Sequence, residues 1–351
     1  MNEMKAGKKL ISNREGFTII ELMVSLVLSF ILIGAVYGTF TSQQKAYTIQ
    51  DQVAETQQNA RMAMNMLVRD MRMAGYGMPD GGITIGSPAK TYSNAIKIKK
   101  QGKYGGEEQL FDSVTIVGAF GAPSGYLDRT LSPGSTELYV RSSDEASDFD
   151  SEDNRYIFIG GIDRLEVSTV SGNKITLNGN TNVRYPTAIL SSQADAGAVT
   201  ILVNSATGLA PGDVLALGEE TLFVTGVDDQ SGQNNITVDT DLETVGNQGI
   251  TNTYRAGTIM NPVPVFRVTA LEYSIGPYTG NLTRNDMAKG TVTELAGNIQ
   301  DIQITPDDQD DQSSYTITLT ARTRAPDPVY KENEGYRQRV LQSAVSLRNL
   351  R

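Results

Sequence analysis

The chain has 351 residues, 30 basic and 40 acidic side chains for a net charge of −10, and neither histidine nor cysteine. Without those two residue types it can assemble no Ser-His-Asp or Cys-His constellation, no disulfide and none of the usual zinc sites. The acidic balance disfavours nucleic acid as a partner, and because the remaining Asp and Glu lie in Ser-, Gly- and Asn-rich text rather than as a catalytic pair, the sequence reads as a non-enzyme with no cofactor.

In chain order, a basic leader comes first: Lys5, Lys8, Lys9 and Arg14 precede Gly16. Phe17-Thr18-Ile19-Ile20-Glu21 then opens an uncharged run from Leu22 to Gln44. At about 1.5 Å per residue, Leu22 to Phe40 is long enough to cross roughly 30 Å of hydrocarbon. The positive-inside rule places the leader in the cytoplasm and everything after Phe40 on the far side. A carboxylate at the edge of such a span is costly unless paired, which makes Glu21 a functional candidate. Cutting the chain after Gly16 would turn the α-amine of Phe17 into that partner, in the same helix or in a neighbouring subunit. A secretory signal would carry its cleavage site after the apolar run and no acid before it. A plain anchor accounts for the span but leaves Gly16 and Glu21 unexplained. Gly34 and Gly38 form a G-x-x-x-G, a spacing that lets helices approach closely, and Gly38 weakens its helix by about 1 kcal/mol relative to alanine.

The helix is expected to continue to Ala74, with Ile49, Val53, Ala60, Ala63, Leu67, Met71 and Ala74 as one apolar stripe facing a sheet. The methionines at 62, 64, 66, 71 and 73 read as flexible gap-fillers in that seam. Glycine and proline between Gly75 and Gly82 end the helix. Strands are expected at 95–98, 113–117 and 137–140. A repeat then shows: strands at 155–160, 165–170 and 174–177 are echoed at 213–218, 222–227 and 235–238, each copy led by one more strand, at 138–140 or 199–203. Alternating strands at 266–274, 299–305, 315–321 and 339–347 are placed on the sheet beside the helix. The division is therefore a leader (1–16), the membrane half of the helix (17–44), the outer helix half with the first head strands (45–135), an inserted β module with its own core (136–256) and the closing head strands (257–351). The acidic runs 144–154 and 307–311 concentrate oxygen ligands, with Asp148, Asp150 and Glu152 as calcium candidates. Neither run has EF-hand spacing, and both read as solvated loops.

Gly16-Phe17-Thr18-Ile19-Ile20-Glu21-Leu22-Met23-Val24 resembles the class III signal of type IV prepilins and of type II secretion pseudopilins. Leu67-Val68-Arg69-Asp70-Met71-Arg72-Met73-Ala74-Gly75-Tyr76-Gly77 is similar to the end of the first helix of PilW-type minor pilins, and Leu347-Arg348-Asn349 to their closing strand. The text between is covered by no motif. The resemblance implies a type IV pilin-like α+β fold, cleavage between Gly16 and Phe17 by a prepilin peptidase, and N-methylation of Phe17. It implies that Glu21 guides docking into a filament by pairing with a neighbour's N-terminal amine. The partners it implies are other minor pilins, the major pilin, an inner-membrane assembly platform and membrane lipid. The head would stand in the periplasm of a bacterial inner membrane and later at the tip of a surface pilus. Two alternatives stay open: a J-like pseudopilin, and a pilus-borne adhesin whose inserted module binds a ligand in a groove lined by Tyr139, Tyr156, Phe158 and Phe223.

Overall fold

The computed structural model describes residues 17–349 apart from 86–88, 104–109, 151–154, 230–233, 277–278 and 309–312. One long helix, α1 (Ile19–Arg72), carries both halves of the expected pattern. Its first half is exposed along its whole length, whereas Ala60, Ala63, Leu67, Met71 and Ala74 of the predicted stripe are buried against the head. Ile49 and Val53 are half-buried. Gly75 ends the helix with φ near +77°, and a Cβ there would sit 2.8 Å from the backbone oxygen of Asn349, so only glycine fits both the turn and the contact. The two stretches singled out at opposite ends of the sequence, around Gly75 and at Leu347 to Asn349, therefore meet in space.

Past the helix, β1 (Ile83–Ile85) and β2 (Lys90–Tyr92) form a small hairpin, and β3 (Ile96–Lys103) pairs with β4 (Leu110–Ala119). Then come β5 (Gly125–Tyr126), β6 (Glu137–Tyr139), a short helix α2 (Ser143–Ser147), β7 (Tyr156–Ile159), β8 (Asp163–Ser171) and β9 (Lys174–Leu177). A second group comprises β10 (Ala188–Ile189), β11 (Thr200–Leu202), β12 (Val214–Leu217), β13 (Glu220–Asp228), β14 (Asn235–Asp239) and β15 (Ile259–Met260). The chain closes with β16 (Pro264–Ile275), β17 (Leu282–Asp286), β18 (Thr291–Ala296), β19 (Ile299–Pro306), β20 (Ser314–Arg322) and β21 (Gln338–Ser346). The whole is an α+β pilin-like arrangement of one long helix and antiparallel sheets. Part of the first acidic run, expected as a loop, is helical because the Ser142 hydroxyl caps it and Asp144 and Glu145 occupy its first turn.

The late strands were expected in one sheet; they fall in two. A three-stranded sheet, β19-β20-β21, lies on α1, while β16 belongs to a ten-stranded sheet in the order β18-β17-β16-β7-β8-β9-β6, with β3, β4 and β5 attached. At the seam, the Asp112 carboxylate of β4 accepts the Ile304 amide of β19 at 2.8 Å and pairs with Lys100 at 2.6 Å. A side chain replaces the ladder carbonyl there, so two sheets meet where one was expected. β16 is the spine of the larger sheet. Its Val265 to Arg267 pair with β7, and its Val268 to Ile275 pair with β4 and β17.

The repeat is a topological one. In the first copy the sheet order is β7-β8-β9-β6 and in the second β12-β13-β14-β11, the same wiring each time. Both copies are also pinned alike, a feature the strand pattern does not show. The carboxylate at the start of β8, Asp163, accepts from the backbone and side chain of Asn182 and from the Tyr185 hydroxyl at 3.0 Å. Glu220, at the start of β13, accepts from the Asn252 backbone and side chain, each at 2.9 Å, from the Thr251 amide at 2.7 Å and from the Tyr254 hydroxyl at 2.8 Å. The copies differ in what they share. The second has a core entirely within 188–260, including Ile201, Leu215, Leu222 and Ile236, whereas the first draws Val263 and Val265 into a core with Leu138, Ile157 and Val167.

Glu220 supplies a pH test. Partial burial pushes its pKa up, but hydrogen bonds from Thr251, Tyr254 and Asn252 outweigh that and bring it from 4.5 to about 2. A depressed carboxylate stabilises the fold fully above its unfolded pKa, so this contribution is lost as the pH falls from about 4.5 to about 2. Urea midpoints of the wild type are expected to drop more steeply across that window than those of Glu220→Gln. Parallel curves would show that the pin does not hold in solution.

Candidate assembly site on the N-terminal helix

The apolar half of α1 starts with a cap. Thr18 is extended and its hydroxyl accepts the Glu21 amide at 3.2 Å, while the Glu21 carboxylate accepts the Thr18 amide at 3.0 Å and the Thr18 hydroxyl at 3.1 Å. This reciprocal box satisfies two donors that an open helix start leaves without partners. The T-x-x-E spacing at 18–21 announces it, yet the sequence reading assigned Glu21 only to an amine. In the isolated chain the carboxylate is turned back on its own helix start, poised beside the Phe17–Thr18 linkage. Phe17 is exposed, and Gly16 lies outside the described residues.

Every large apolar side chain from Leu22 to Phe40 is at least half exposed, so this surface has no cover among the described residues. Gly34 and Gly38 face open space: a Cβ at either would meet nothing within 4 Å. The helix runs unbroken through Gly38, whose carbonyl accepts the Thr41 hydroxyl at 3.0 Å. The glycines thus leave a smooth, narrow strip on an otherwise bulky apolar rod, suited to close approach by another helix.

At its other end α1 is locked to the head by a charged hub. Asp70 is 3% exposed, and its carboxylate accepts from the Tyr273 hydroxyl of β16 at 2.5 Å, from the Arg284 guanidinium of β17 at 3.5 Å and from Arg69 Nε at 3.1 Å. Burial, together with the adjacent Asp70 charge, pushes the Tyr273 hydroxyl well above the ordinary tyrosine range, so it stays protonated and donates. Arg267 and Asp286 extend the network, with Asp286 also accepting the Thr269 hydroxyl at 2.7 Å. An acid on the buried stripe of a helix was the visible signal for this hub, since Asp70 falls beside Leu67 and Met71.

The other candidates are scattered. Asp148 faces Lys289 at 3.9 Å, Asp150 is exposed and Glu152 lies outside the described residues. Among the described residues no group of three or more acids is arranged to hold a metal ion. The four aromatics considered as a ligand groove fall in three different surroundings. Phe158 is buried against Tyr76, ring centroids 4.8 Å apart, and Tyr156 packs on that same cluster. Tyr139 lies under the Arg129 guanidinium at 4.1 Å, and Phe223 sits on the second copy.

No curated protein and no solved structure matches the chain. A family model described as the prokaryotic N-terminal methylation motif matches residues 11–37, the stretch that contains Gly16, Phe17, Glu21 and Gly34. Together with the exposed apolar helix it overlaps, this prepilin-type motif fits a membrane-anchored pilin or pseudopilin and supports processing by prepilin peptidase.

Proposed function

We propose that the chain is a minor pilin of a type IV pilus, cut between Gly16 and Phe17, methylated on Phe17, and incorporated at the filament tip or in the priming complex. The carrying observation is the methylation motif at residues 11–37 on a helix whose apolar half has no cover among the described residues. Such a surface is stable in lipid or among the helices of a filament, and in water it would aggregate. Glu21 guides docking: its carboxylate exchanges the Thr18 cap for the N-terminal amine of a neighbouring subunit. Gly34 and Gly38 form the packing strip. The head, 45–135 and 257–351, carries the repeated β module at 136–256 as an insertion, and that bulk favours a tip or priming place over a place along the shaft. The partners are the major pilin, other minor pilins and the inner-membrane assembly platform, and the chain catalyses nothing itself.

A J-like pseudopilin of a type II secretion system would show the same motif and helix. Immunogold labelling of sheared pili separates the two. Mass spectrometry of the membrane-extracted protein is expected to find a methylated Phe17 start, and an intact Met1 start would sink the prepilin reading. Glu21→Ala is expected to be cleaved and to keep a folded head, because among the described residues Glu21 is hydrogen-bonded only to Thr18 and Ser25 and within its own helix. Losing one member of a charge pair in low-dielectric surroundings costs several kcal/mol, so its incorporation into filaments should fall at least about tenfold, 1.4 kcal/mol being a factor of ten. Normal incorporation of Glu21→Ala would reject the docking role.

A further inference from the structure

Between β20 and β21 the chain leaves the sheet and runs back along α1 toward the apolar half. Two bonds fasten its start there: Thr56 donates its hydroxyl to the Arg322 carbonyl at 3.2 Å, and the Ala325 amide donates to the Gln52 side-chain oxygen at 3.3 Å. Beyond them Val329 lines, with Ser42, Lys45, Ala46 and Ile49, an open groove of about 810 Å³. At about 1.5 Å per residue, Ser42 to Ile49 lie roughly 3 to 14 Å beyond Phe40, the level of the phospholipid headgroups for a span ending at Phe40.

The loop is built to hold its tip outward. Asp327 is buried; its carboxylate accepts Arg337 through Nε at 3.1 Å and NH2 at 2.8 Å, and the Val329 amide at 3.0 Å. Asn333 and Glu334 both adopt positive φ, a conformation costly for residues with a Cβ and maintained only where the surroundings enforce it. That framework leaves Val329 84% exposed. In the same loop Tyr330 and Tyr336 each lie beneath an arginine, with Arg337 at 5.2 Å and Arg322 at 4.3 Å from the ring centres. Residues 323–337 carry three basic and three acidic side chains; one of those acids is Asp327, buried against Arg337, and Lys45 of the groove adds a further cation. An exposed aliphatic tip, neighbouring tyrosines and the exposed cations Arg324, Lys331 and Lys45 next to a membrane span are the composition of a bilayer interface contact.

We propose that the 323–337 loop is a foot on the membrane: while the protein is anchored, Val329 enters the headgroup layer, and anionic phospholipid phosphates meet Lys331, Arg324 and Lys45. The foot sets the tilt of the head relative to the bilayer. This rests on the membrane-anchored reading and not on the pilus or tip assignment.

The natural absence of cysteine allows a clean test. Full-length Val329→Cys, Tyr37→Cys and Val245→Cys, labelled with an environment-sensitive fluorophore, are reconstituted into vesicles of phosphatidylglycerol and phosphatidylcholine containing headgroup-spin-labelled lipid. Tyr37 reports the span, and Val245 is a fully exposed position on the second copy. Quenching is expected at 37 and 329 and not at 245. Adding Arg324→Gln or Lys331→Gln should shift the bound-to-free ratio at 329 about fivefold, at about 1 kcal/mol per basic residue near an anionic surface, and leave 37 unchanged. Quenching at 37 with 329 as bright as 245 overturns the foot. Brightness at both 37 and 329 overturns the anchor and the foot together. Shielding of 329 by a second labelled chain, without lipid quenching, makes another copy the occupant and rejects lipid.

Discussion

Asp70→Ala is expected to lower the stability of the head (residues 45–351) by about 3–5 kcal/mol, the cost of removing one partner from a buried charged pair. The size follows from what would remain. The Tyr273 hydroxyl, 1% exposed, would lose its acceptor, and the mostly buried Arg284 would keep a positive charge with its carboxylate gone. Tyr273→Phe removes the hydroxyl but leaves Asp70 paired with Arg284 and Arg69, so about 1–3 kcal/mol is expected there. Asp70→Asn keeps an acceptor for the hydroxyl and loses only the charge, so it should fall between wild type and alanine. Denaturant unfolding of the three variants provides the check. Because this hub fastens the last turn of α1 to β16 and β17, the Asp70→Ala loss should come with early release of the helix, seen as protease cutting between 45 and 72 before the β module is touched. An Asp70→Ala head within 1 kcal/mol of wild type would mean that apolar packing around Leu67 and Met71 holds the helix by itself.

How far the sequence discloses this arrangement depends on how each feature is encoded. The long helix and its buried stripe are legible because a 3.6-residue period is written in Ala60, Ala63, Leu67 and Met71 themselves. The methylation motif is legible because leader charge, Gly16, Phe17 and Glu21 are contiguous. The repeat is legible through apolar alternation in β7 to β9 and β12 to β14. β17 and β18 escape notice because their text, Leu-Thr-Arg-Asn-Asp and Thr-Val-Thr-Glu-Leu-Ala, is largely polar and β18 is an edge strand exposed over its first four residues. Two-residue strands such as β10 and β15 carry no period at all. The Asp163 and Glu220 pins and the Asp70 hub each join residues far apart in sequence. A lone carboxylate can be flagged as out of place, but its partner is found only when the fold brings it near. The shared use of β16 is likewise invisible, since nothing in a twelve-residue strand records that its halves pair with different neighbours.

A fragment of residues 186–262, the second copy alone, is expected to fold and unfold cooperatively with a stability of about 3–5 kcal/mol, the range for a core of this size. The fifteen buried apolar residues of its core cluster all lie between Ala188 and Met260, and its ends are already neighbours, because β10 and β15 pair with Ala188 opposite Met260. Joining Thr187 to Asn261 through a short glycine linker should therefore leave the remaining head folded. Among the polar contacts that head loses, Arg184 pairs with Asp213 and donates to the Gly208 carbonyl, the Thr187 hydroxyl donates to the Met260 carbonyl at 2.9 Å, and the Asn261 amide donates to the Ala216 carbonyl at 2.7 Å. Arg184 is one-third exposed, so the deletion should cost the head no more than about 1 kcal/mol through this bridge. The first copy cannot be treated the same way. Its β7 is hydrogen-bonded to β16, and Val263 and Val265 of the closing region complete its core, so residues 127–185 alone should be disordered. Circular dichroism and heat capacity of the two fragments distinguish the cases. If 186–262 is disordered in isolation and the shortened head also fails to fold, the two copies share one cooperative core. If instead 127–185 folds alone, the β16 pairing is a docking contact between finished units.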